Sequence, residues 1–329
     1  MSESRLPAED SSHRADSADA ESQRRPTDVL VVGGAGFIGS HFVDRLVAER
    51  ATVEVVDDLS TGSLANLAEA RAAAPHSGGE VHIHTLDATS PDLATLITLR
   101  RPRQVVHLAL LVPATTSVVD LGNSFTSMLG VVDACRAASV EKIIVALPAT
   151  VLYGTPSARQ LPAKEGEITP RGVRGVIAGA IVDLLTTYRQ DHGIEFTALA
   201  VTTVYGPRQH PQRGAVARLL DAAANGEPAR LTGDGRQTRD FVHVDDVVDA
   251  VARTRNRGSG LVINVGTGVQ TSLRELVAMI GSDVPPSFVA ERPGELGRFC
   301  VSPVRARIHL GWAPWTTLAD GVSALRNAP

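Results

Sequence analysis

The stretch from Asp28 to His41 constrains the fold more than any other part of this chain. Asp28-Val-Leu-Val-Val32 is a short apolar run that passes through Gly33-Gly34-Ala35-Gly36-Phe37-Ile38-Gly39 into a segment of helical periodicity. The glycines at 33, 36 and 39 suit a tight turn, a close backbone approach to a pyrophosphate, and close packing of helix on strand. The N–H groups that open the helix then face the phosphates. Eighteen residues after Gly39, Asp57 ends the next apolar run, where a carboxylate can accept from both hydroxyls of an adenosine ribose. The spacing therefore predicts a dinucleotide site with Gly33, Gly36, Phe37, Ile38 and Gly39 at the phosphates and Asp57, Asp58 and Ser60 around the ribose. Asp87, after the third apolar run, has two readings: an acceptor for the adenine amino group, or an exposed helix N-cap.

From Asp28 onward, short apolar runs alternate with amphipathic segments, which predicts an α/β, Rossmann-type fold with a doubly wound parallel sheet. Strands are expected at Asp28–Val32, Val53–Val56, Val81–Thr85, Gln104–Leu108, Lys142–Leu147 and Phe196–Val201. Helices are expected at Phe37–Glu49, Asp92–Leu99, Ser124–Ala138 and Gly175–Asp191. After about Gly206 the elements shorten: helices at Gly214–Asn225, Asp245–Arg255 and Ser272–Ile280, and strands at Phe241–Val244 and Leu261–Val265. The domain reading is a disordered tail over 1–27, a dinucleotide-binding domain over 28–205 that receives returning elements from the C-terminal part, and a smaller substrate-binding lobe over 206–329.

Composition excludes several classes. The net charge of −4 and the lack of a clustered Lys/Arg stripe argue against nucleic acid as a partner. No apolar stretch in the tail is long enough for a signal peptide or membrane span. Cys135 and Cys300 cannot form a disulfide framework and lack metal-ligand spacing, so both read as reduced core residues of a cytoplasmic protein that holds no metal.

Several strings in order carry a family resemblance: Gly-Gly-Ala-Gly-Phe-Ile-Gly-Ser-His at 33–41, His-Leu-Ala at 107–109, Val-Tyr-Gly-Pro-Arg-Gln at 204–209, Gly-Asp-Gly-Arg-Gln-Thr-Arg-Asp-Phe-Val-His-Val-Asp-Asp at 233–246, Asn-Val-Gly-Thr-Gly at 264–268 and Glu-Arg-Pro-Gly-Glu at 291–295. The chain resembles the extended short-chain dehydrogenase/reductase family, in its NAD-dependent epimerase/dehydratase branch, from Asp28 to about Val322. The resemblance places Leu108 and Ala109 at the cofactor and implies a possible homodimer through helices 124–138 and 175–191. Asp57 beside Asp58, with no Arg or Lys in Leu59–Leu67, makes NADH the simple reading. Hydroxyls at Ser60, Thr61 and Ser63 leave NADPH open.

The family's chemistry rests on a Tyr that moves the hydroxyl proton, a Lys four residues later, a Ser/Thr that fixes the substrate oxygen, and an Asn. None of the three tyrosines has a Lys four positions on, and the corresponding positions here are Arg174, Ala178, Ala149 and Ser127. A positioned general acid is worth ~10²–10⁴ in rate, and a guanidinium does not give up its proton in this range. Arg174 reads as a surface residue, with stabilisation of a developing alkoxide as the other reading. Thr116, Ser117, Thr150 and Thr203 remain as hydroxyls that could orient a carbonyl.

Leu110, Leu111 and Val112, with Val173, Val176 and Ile177, suggest an apolar lining for a flat ligand, or plain core packing. Arg239 and Arg292 match positions the family uses for the pyrophosphate of a nucleotide sugar, or are structural arginines paired with Asp240 and Glu295. The leading expectation is an atypical ketoreductase of the angucyclinone type. It would reduce a ketone on a large aromatic polyketide in antibiotic biosynthesis, with hydride from NADPH or NADH and the proton from the substrate phenol or water. The alternatives are a catalytically silent dinucleotide- or nucleotide-sugar-binding protein and, third, a nucleotide-sugar epimerase or dehydratase.

Overall fold

Seven strands lie between two layers of helices. They are β1 (Val29–Val32), β2 (Thr52–Asp57), β3 (Glu80–Thr85), β4 (Gln104–His107), β5 (Lys142–Pro148), β6 (Glu195–Val201) and β7 (Leu261–Val265), all parallel, in the order β7-β6-β5-β4-β1-β2-β3. This computed structural model describes residues 26–111, 117–166, 170, 172–281, 284–290 and 296–327. The expected tail lies outside them up to residue 25. Thr27, assigned to that tail, accepts from Arg103 N at 3.1 Å, so the folded unit starts just before the expected boundary.

Successive side chains of a strand point to opposite faces, and β1 shows the result. Leu30 and Val32 join a core with Val105, Ile143, Met128 and Ile181, whereas Val29 and Val31 join another with Phe42, Val106, Leu199 and Val251. Burial on both faces explains why the strands read as continuous apolar runs. The register is fixed on both sides of β1, with Val29 opposite Val53 and Gln104.

The second of these cores packs α1 (Phe37–Ala48). The first packs α3 (Pro91–Arg100), α4 (Val118–Ala138) and α5 (Gly172–His192). Between the two groups of helices in sequence lies α2 (Ala68–Ser77), which the sequence reading did not place. It contains Pro75 and buries only Ala70, so it has almost no apolar stripe to read. The expected start of α4 at Ser124 is too late: Ser117 Oγ accepts from Asp120 N at 3.3 Å and caps the helix one turn and more upstream.

Beyond β6 the chain alternates between sheet and lobe. α6 (Ala215–Ala224) and α8 (Leu273–Ile280) contribute Val216, Leu219, Leu276 and Ile280 to a third core with Tyr205, Phe241 and Val322. α7 (Val244–Thr254) and α9 (Val304–Leu310) instead return to the sheet, and α10 (Leu318–Arg326) supplies Val322 to the lobe. Trp312 is buried under the sheet, and its Nε1–H donates to Asp246 O at 2.9 Å. Asp246 also accepts from Trp315 N and Thr316 N.

Lys142, at the start of β5, ties the sheet to the end of α7. Its ammonium donates to Thr254 O and Arg257 O, both at 2.6 Å, and to Ser259 Oγ at 3.0 Å. Both cysteines are buried and free. Among the described residues no helix is long and apolar enough to cross a membrane, and no His/Cys/Asp/Glu group could hold a metal.

Candidate active site

The turn between β1 and α1 has the shape a pyrophosphate requires. Gly33 has φ +81°, and a Cβ there would stand 2.9 Å from Ala109 N. At Gly39 an added Cβ would lie 2.0 Å from Gly33 O, so the helix rests directly on the turn. Gly36 is the N-cap of α1 and offers no side chain to the first-turn amides. Those amides have no partner within the helix, and they carry the positive end of its dipole. The residues present therefore fit a dinucleotide phosphate at Gly36, Phe37, Ile38 and Gly39.

Asp57, at the end of β2, is buried and doubly anchored. Its Oδ2 accepts from Ala35 N at 2.8 Å and its Oδ1 from Leu59 N at 2.9 Å. Burial outweighs these amides and raises its pKa above the usual carboxylate value. Gly62 packs against Ala35 and Asp57, since a Cβ there would come within 2.9 Å of Asp57 Oδ1. The loop after β2 is thus folded onto the glycine turn, helped by Asn66, whose side chain donates to Ala35 O at 2.9 Å.

Asp58 Oδ1 accepts from Ser60 N and Ser60 Oγ. Ser63 Oγ accepts from Ala65 N. The hydroxyls of Ser60 and Ser63 are thus already engaged within the loop. Asp87 does not cap a helix: its Oδ1 accepts from Thr89 N and Oγ1, and Ser90 caps α3.

At the carboxyl end of β4, His107 is fully buried and bonded through Nε2 to Ser127 Oγ at 3.0 Å. Ser127 Oγ lies 3.1 Å from Ser124 O. Burial pushes the His107 imidazole down to about 3, so it is neutral near pH 7. The structure thus uses Ser127 as an internal brace. Ala149 opens a helical turn after β5 (Ala149–Leu152), and Ala178 lies on α5; both are completely buried methyls. Thr150 follows Ala149 in that turn, half-buried.

Arg174, in the first turn of α5, is not the expected surface residue. Its side chain is half-buried, Nη2 donates to Leu111 O, and burial lowers its pKa. Leu111 is itself held in the left-handed region at φ 49° by donation from its N–H to Ser124 Oγ at 3.0 Å.

Among the described residues the apolar lining expected for a flat ligand does not form. Leu110, Leu111 and Ile177 pack into the core of the sheet, and Val173 and Val176 point to solvent at 51 % and 62 % exposure. Of the proposed orienting hydroxyls, Ser117 is committed to capping α4, and Thr203 sits in a short strand (Thr203–Tyr205) paired with Phe241–His243. Val112 and Thr116 lie outside the described residues.

Arg239 is not paired with Asp240. The buried Asp240 carboxylate accepts instead from Thr267 N, Thr267 Oγ1, Gly268 N and Val301 N, while Arg239 Nη1 donates to Thr238 O at 2.8 Å. Arg292 and Glu295 lie outside the described residues. One residue before Arg239, Thr238 N donates to Gly297 O at 2.9 Å. Gly297 lines a cavity of about 400 Å³ together with Thr232, Gly233, Asp234, Arg236, Gln237, Leu296 and Arg298. The sequence reading passed over Arg236 and Arg298, although Arg236 lies within the quoted string at 233–246. Nothing in the spacing marks which arginine of that string faces a cavity.

The sequence profile of the NAD dependent epimerase/dehydratase family matches residues 29–266. The chain is 37 % identical over 308 residues to a UDP-glucose 4-epimerase of Mycolicibacterium smegmatis, a match spanning 89 % of this chain and 96 % of that protein. Among solved structures, UDP-glucose 4-epimerase of Thermotoga maritima with UDP-glucose superposes with a TM-score of 0.82 at 30 % identity, covering 90 % of this chain and 96 % of that one. MoeE5 in complex with UDP-glucuronic acid and NAD gives 0.78 at 30 % identity over 90 % and 96 % of the two chains. These findings overturn the expectation of a polyketide ketoreductase in antibiotic biosynthesis: proteins similar along nearly the whole chain are named for nucleotide sugars.

Proposed function

This chain belongs to the NAD-dependent epimerase/dehydratase family, and from that premise we propose that it binds NAD together with a nucleoside-diphosphate sugar, without the family's tyrosine route for moving a hydroxyl proton. The observation that carries the reading is the cavity beside Gly297. It is lined by polar groups, Arg236 and Arg298 among them, and Thr238 N, one residue before Arg239, donates to Gly297 O. Guanidinium groups suit the oxygens of a diphosphate. The glycine turn after β1, at the switch point between β1 and β4, suits the dinucleotide.

NAD, when bound, supplies the hydride acceptor or donor. Asp57 presents its carboxylate to the ribose hydroxyls and repels a 2′-phosphate, which favours NAD over NADP. The chain's own residues orient and exclude water at the far end. Ala149 and Ala178 leave no hydroxyl or ammonium where the family works on the sugar, Arg174 keeps its proton, and neutral His107 is sealed from any ligand. Loss of a positioned acid/base group lowers rate by ~10²–10⁴. The protein therefore acts by holding the two ligands, and any epimerisation is slow. A second reading, 4-epimerisation at ordinary rate, is favoured by the Mycolicibacterium smegmatis relative's name.

Calorimetric titration of the protein with UDP, UDP-glucose and NAD, followed by a coupled assay for UDP-galactose, tests both readings. Binding of all three with little or no UDP-galactose supports the proposal. Rapid epimerisation supports the second reading, and no affinity for UDP refutes both. The exposed Val118, Val119 and Leu129 on α4, with Val173 and Val176 on α5, fit a homodimer built through these helices. Sedimentation of a single-mass monomer would exclude it.

A further inference from the structure

Arg208 stands where the chain leaves the sheet for the lobe, and it grips two elements of the cofactor site at once. Its Nη1 donates to Asp44 Oδ2 at 2.6 Å and to Ser40 Oγ at 3.3 Å, both on α1, and its Nη2 lies 3.0 Å from Glu69 Oε2 in the first turn of α2. Ser40 Oγ donates in turn to Phe37 O at 3.2 Å, in the turn of α1 whose amides fit the dinucleotide phosphate. α2 continues the loop after β2, which Asn66 ties to the glycine turn.

The grip is sheltered on α1 and open on α2. The side chains of Arg208 and Asp44 are 16 % and 23 % exposed, whereas Glu69, at 79 %, adds little. Burial raises the pKa of Asp44, and Arg208 works most strongly against it, so the carboxylate relies on this partner for its charge. Arg208 holds a φ of 62°, in the left-handed region that a residue with a Cβ seldom adopts. A backbone of that kind persists where its surroundings over-determine it, and here the side-chain bonds to α1 and α2 do so.

The same residue is joined to the lobe cavity through a short, stiff path. Gln237 lines that cavity, and four residues on, Phe241–His243 pairs with Thr203–Tyr205, the strand that runs into Gly206, Pro207 and Arg208. Tyr205 and His243 also meet edge to face, their ring centroids 5.2 Å apart. Pro207 O accepts from His41 Nε2 of α1 at 3.1 Å, beside the Arg208 contacts.

We propose that Arg208 is a positioning residue that couples the two ligands. NAD in the glycine turn fixes α1 and α2, which latches Arg208 and, through the paired strands, sets the wall of the lobe cavity. Without the latch the Arg208 backbone relaxes from its left-handed conformation, so the joint has two arrangements that both ligands bias. The inference rests on the nucleotide-sugar reading given above. Coupling between two sites is commonly about 5- to 150-fold in affinity and is reciprocal.

The test is calorimetric titration of UDP with and without saturating NAD, and of NAD with and without saturating UDP, on wild type, Arg208→Gly and Arg208→Lys. Glycine takes the left-handed backbone without steric cost, so Arg208→Gly removes the side-chain bonds and leaves the turn in place. In wild type each ligand should tighten the other by one common factor of at least ~5. That factor should fall to ~1 in Arg208→Gly and return in part in Arg208→Lys, which keeps the charge but lacks the fork that spans two helices. A purely structural role would weaken each ligand alone and leave the factor unchanged. A wild-type factor of ~1, or one that survives Arg208→Gly, overturns the inference and leaves the nucleotide-sugar reading in place. Failure of UDP or NAD to bind removes both.

Discussion

Replacing Gly39 by Ala and Gly179 by Ala makes one chemical change in two helices, and the two substitutions are expected to move stability in opposite directions. Within a helix, Ala is favoured over Gly by about 1 kcal/mol. At Gly179 on α5 an added Cβ meets nothing within 4 Å, so that gain is realised. At Gly39 the Cβ would lie 2.0 Å from Gly33 O and 2.8 Å from Gly34 Cα, whereas real Cβ contacts essentially never fall below 3.0 Å, so helix and turn must part by about 1 Å. Neither neighbour is a flexible side-chain tip. Gly33 is also pinned to β2, its N–H donating to Val56 O at 2.7 Å. Overpacking of this kind costs about 1–3 kcal/mol, which offsets the helical gain and leaves a net loss of up to ~2 kcal/mol.

The same displacement moves the first-turn amides by a distance that takes a hydrogen bond near 2.9 Å out of range, so NAD affinity should fall at least ~10-fold. Thermal unfolding, with and without NAD, measures both effects. The expected pattern is a lower melting temperature and a lost NAD-induced shift for Gly39→Ala, against a small rise and a full shift for Gly179→Ala. A Gly39→Ala protein as stable and as responsive to NAD as wild type would refute the packing argument.

His107 supplies a pH prediction. In the unfolded chain an imidazole takes up a proton near pH 6.5, but the buried ring resists until about 3. As pH falls through that window the unfolded state binds the extra proton, and stability drops by up to about 1.4 kcal/mol per unit. Urea titrations of His107→Gln across this range should show a shallower fall, and an unchanged slope would remove His107 as the cause. Asp57→Ala removes the ribose acceptor and unlatches Ala35 and Leu59 together, so NAD binding should weaken by at least ~10-fold in a calorimeter; retention of wild-type affinity would refute its assigned role. Lys142→Met strands the carbonyls of Thr254 and Arg257 without their donor and should destabilise the fold by ~1–3 kcal/mol in urea unfolding. A neutral effect would show that solvent takes over those carbonyls.

Most of the strands were legible because they are buried on both faces and carry apolar runs, whereas the edge strand β3 is only half-buried and shows as Val81 and Ile83 alternating with histidines. All six expected before Gly206 occur within a residue of their predicted ends. Val118 and Val119, at 69 % and 71 % exposure, break the apolar period at the start of α4, and only Ser117 marks where the helix begins. The short helices α9 and α10 escaped because each is held by what it docks against.

At the site, the glycine turn was legible because its residue types answer to local backbone geometry. That no Tyr is followed four positions later by a Lys was equally plain from counting. What stands in their place was not, because the burial of Arg174 depends on Leu111, which reaches it from 63 positions away in sequence. The substrate misreading has the same origin: a leucine that faces a ligand and one that fills a core are the same letter, and Leu110 and Leu111 are of the second kind.

The return of the chain to its first-made layers bears on how the protein is produced. Phe299 and Val301 complete the core begun by Leu30, Trp312 closes the one that contains Val29, and Val322 completes the lobe. During synthesis six of the seven strands thus emerge from the ribosome before the last residues that cover them, and parts of the apolar faces stay open until those arrive. A chain that stopped before these residues would keep apolar sheet faces uncovered, the condition that favours aggregation over a shortened but working protein.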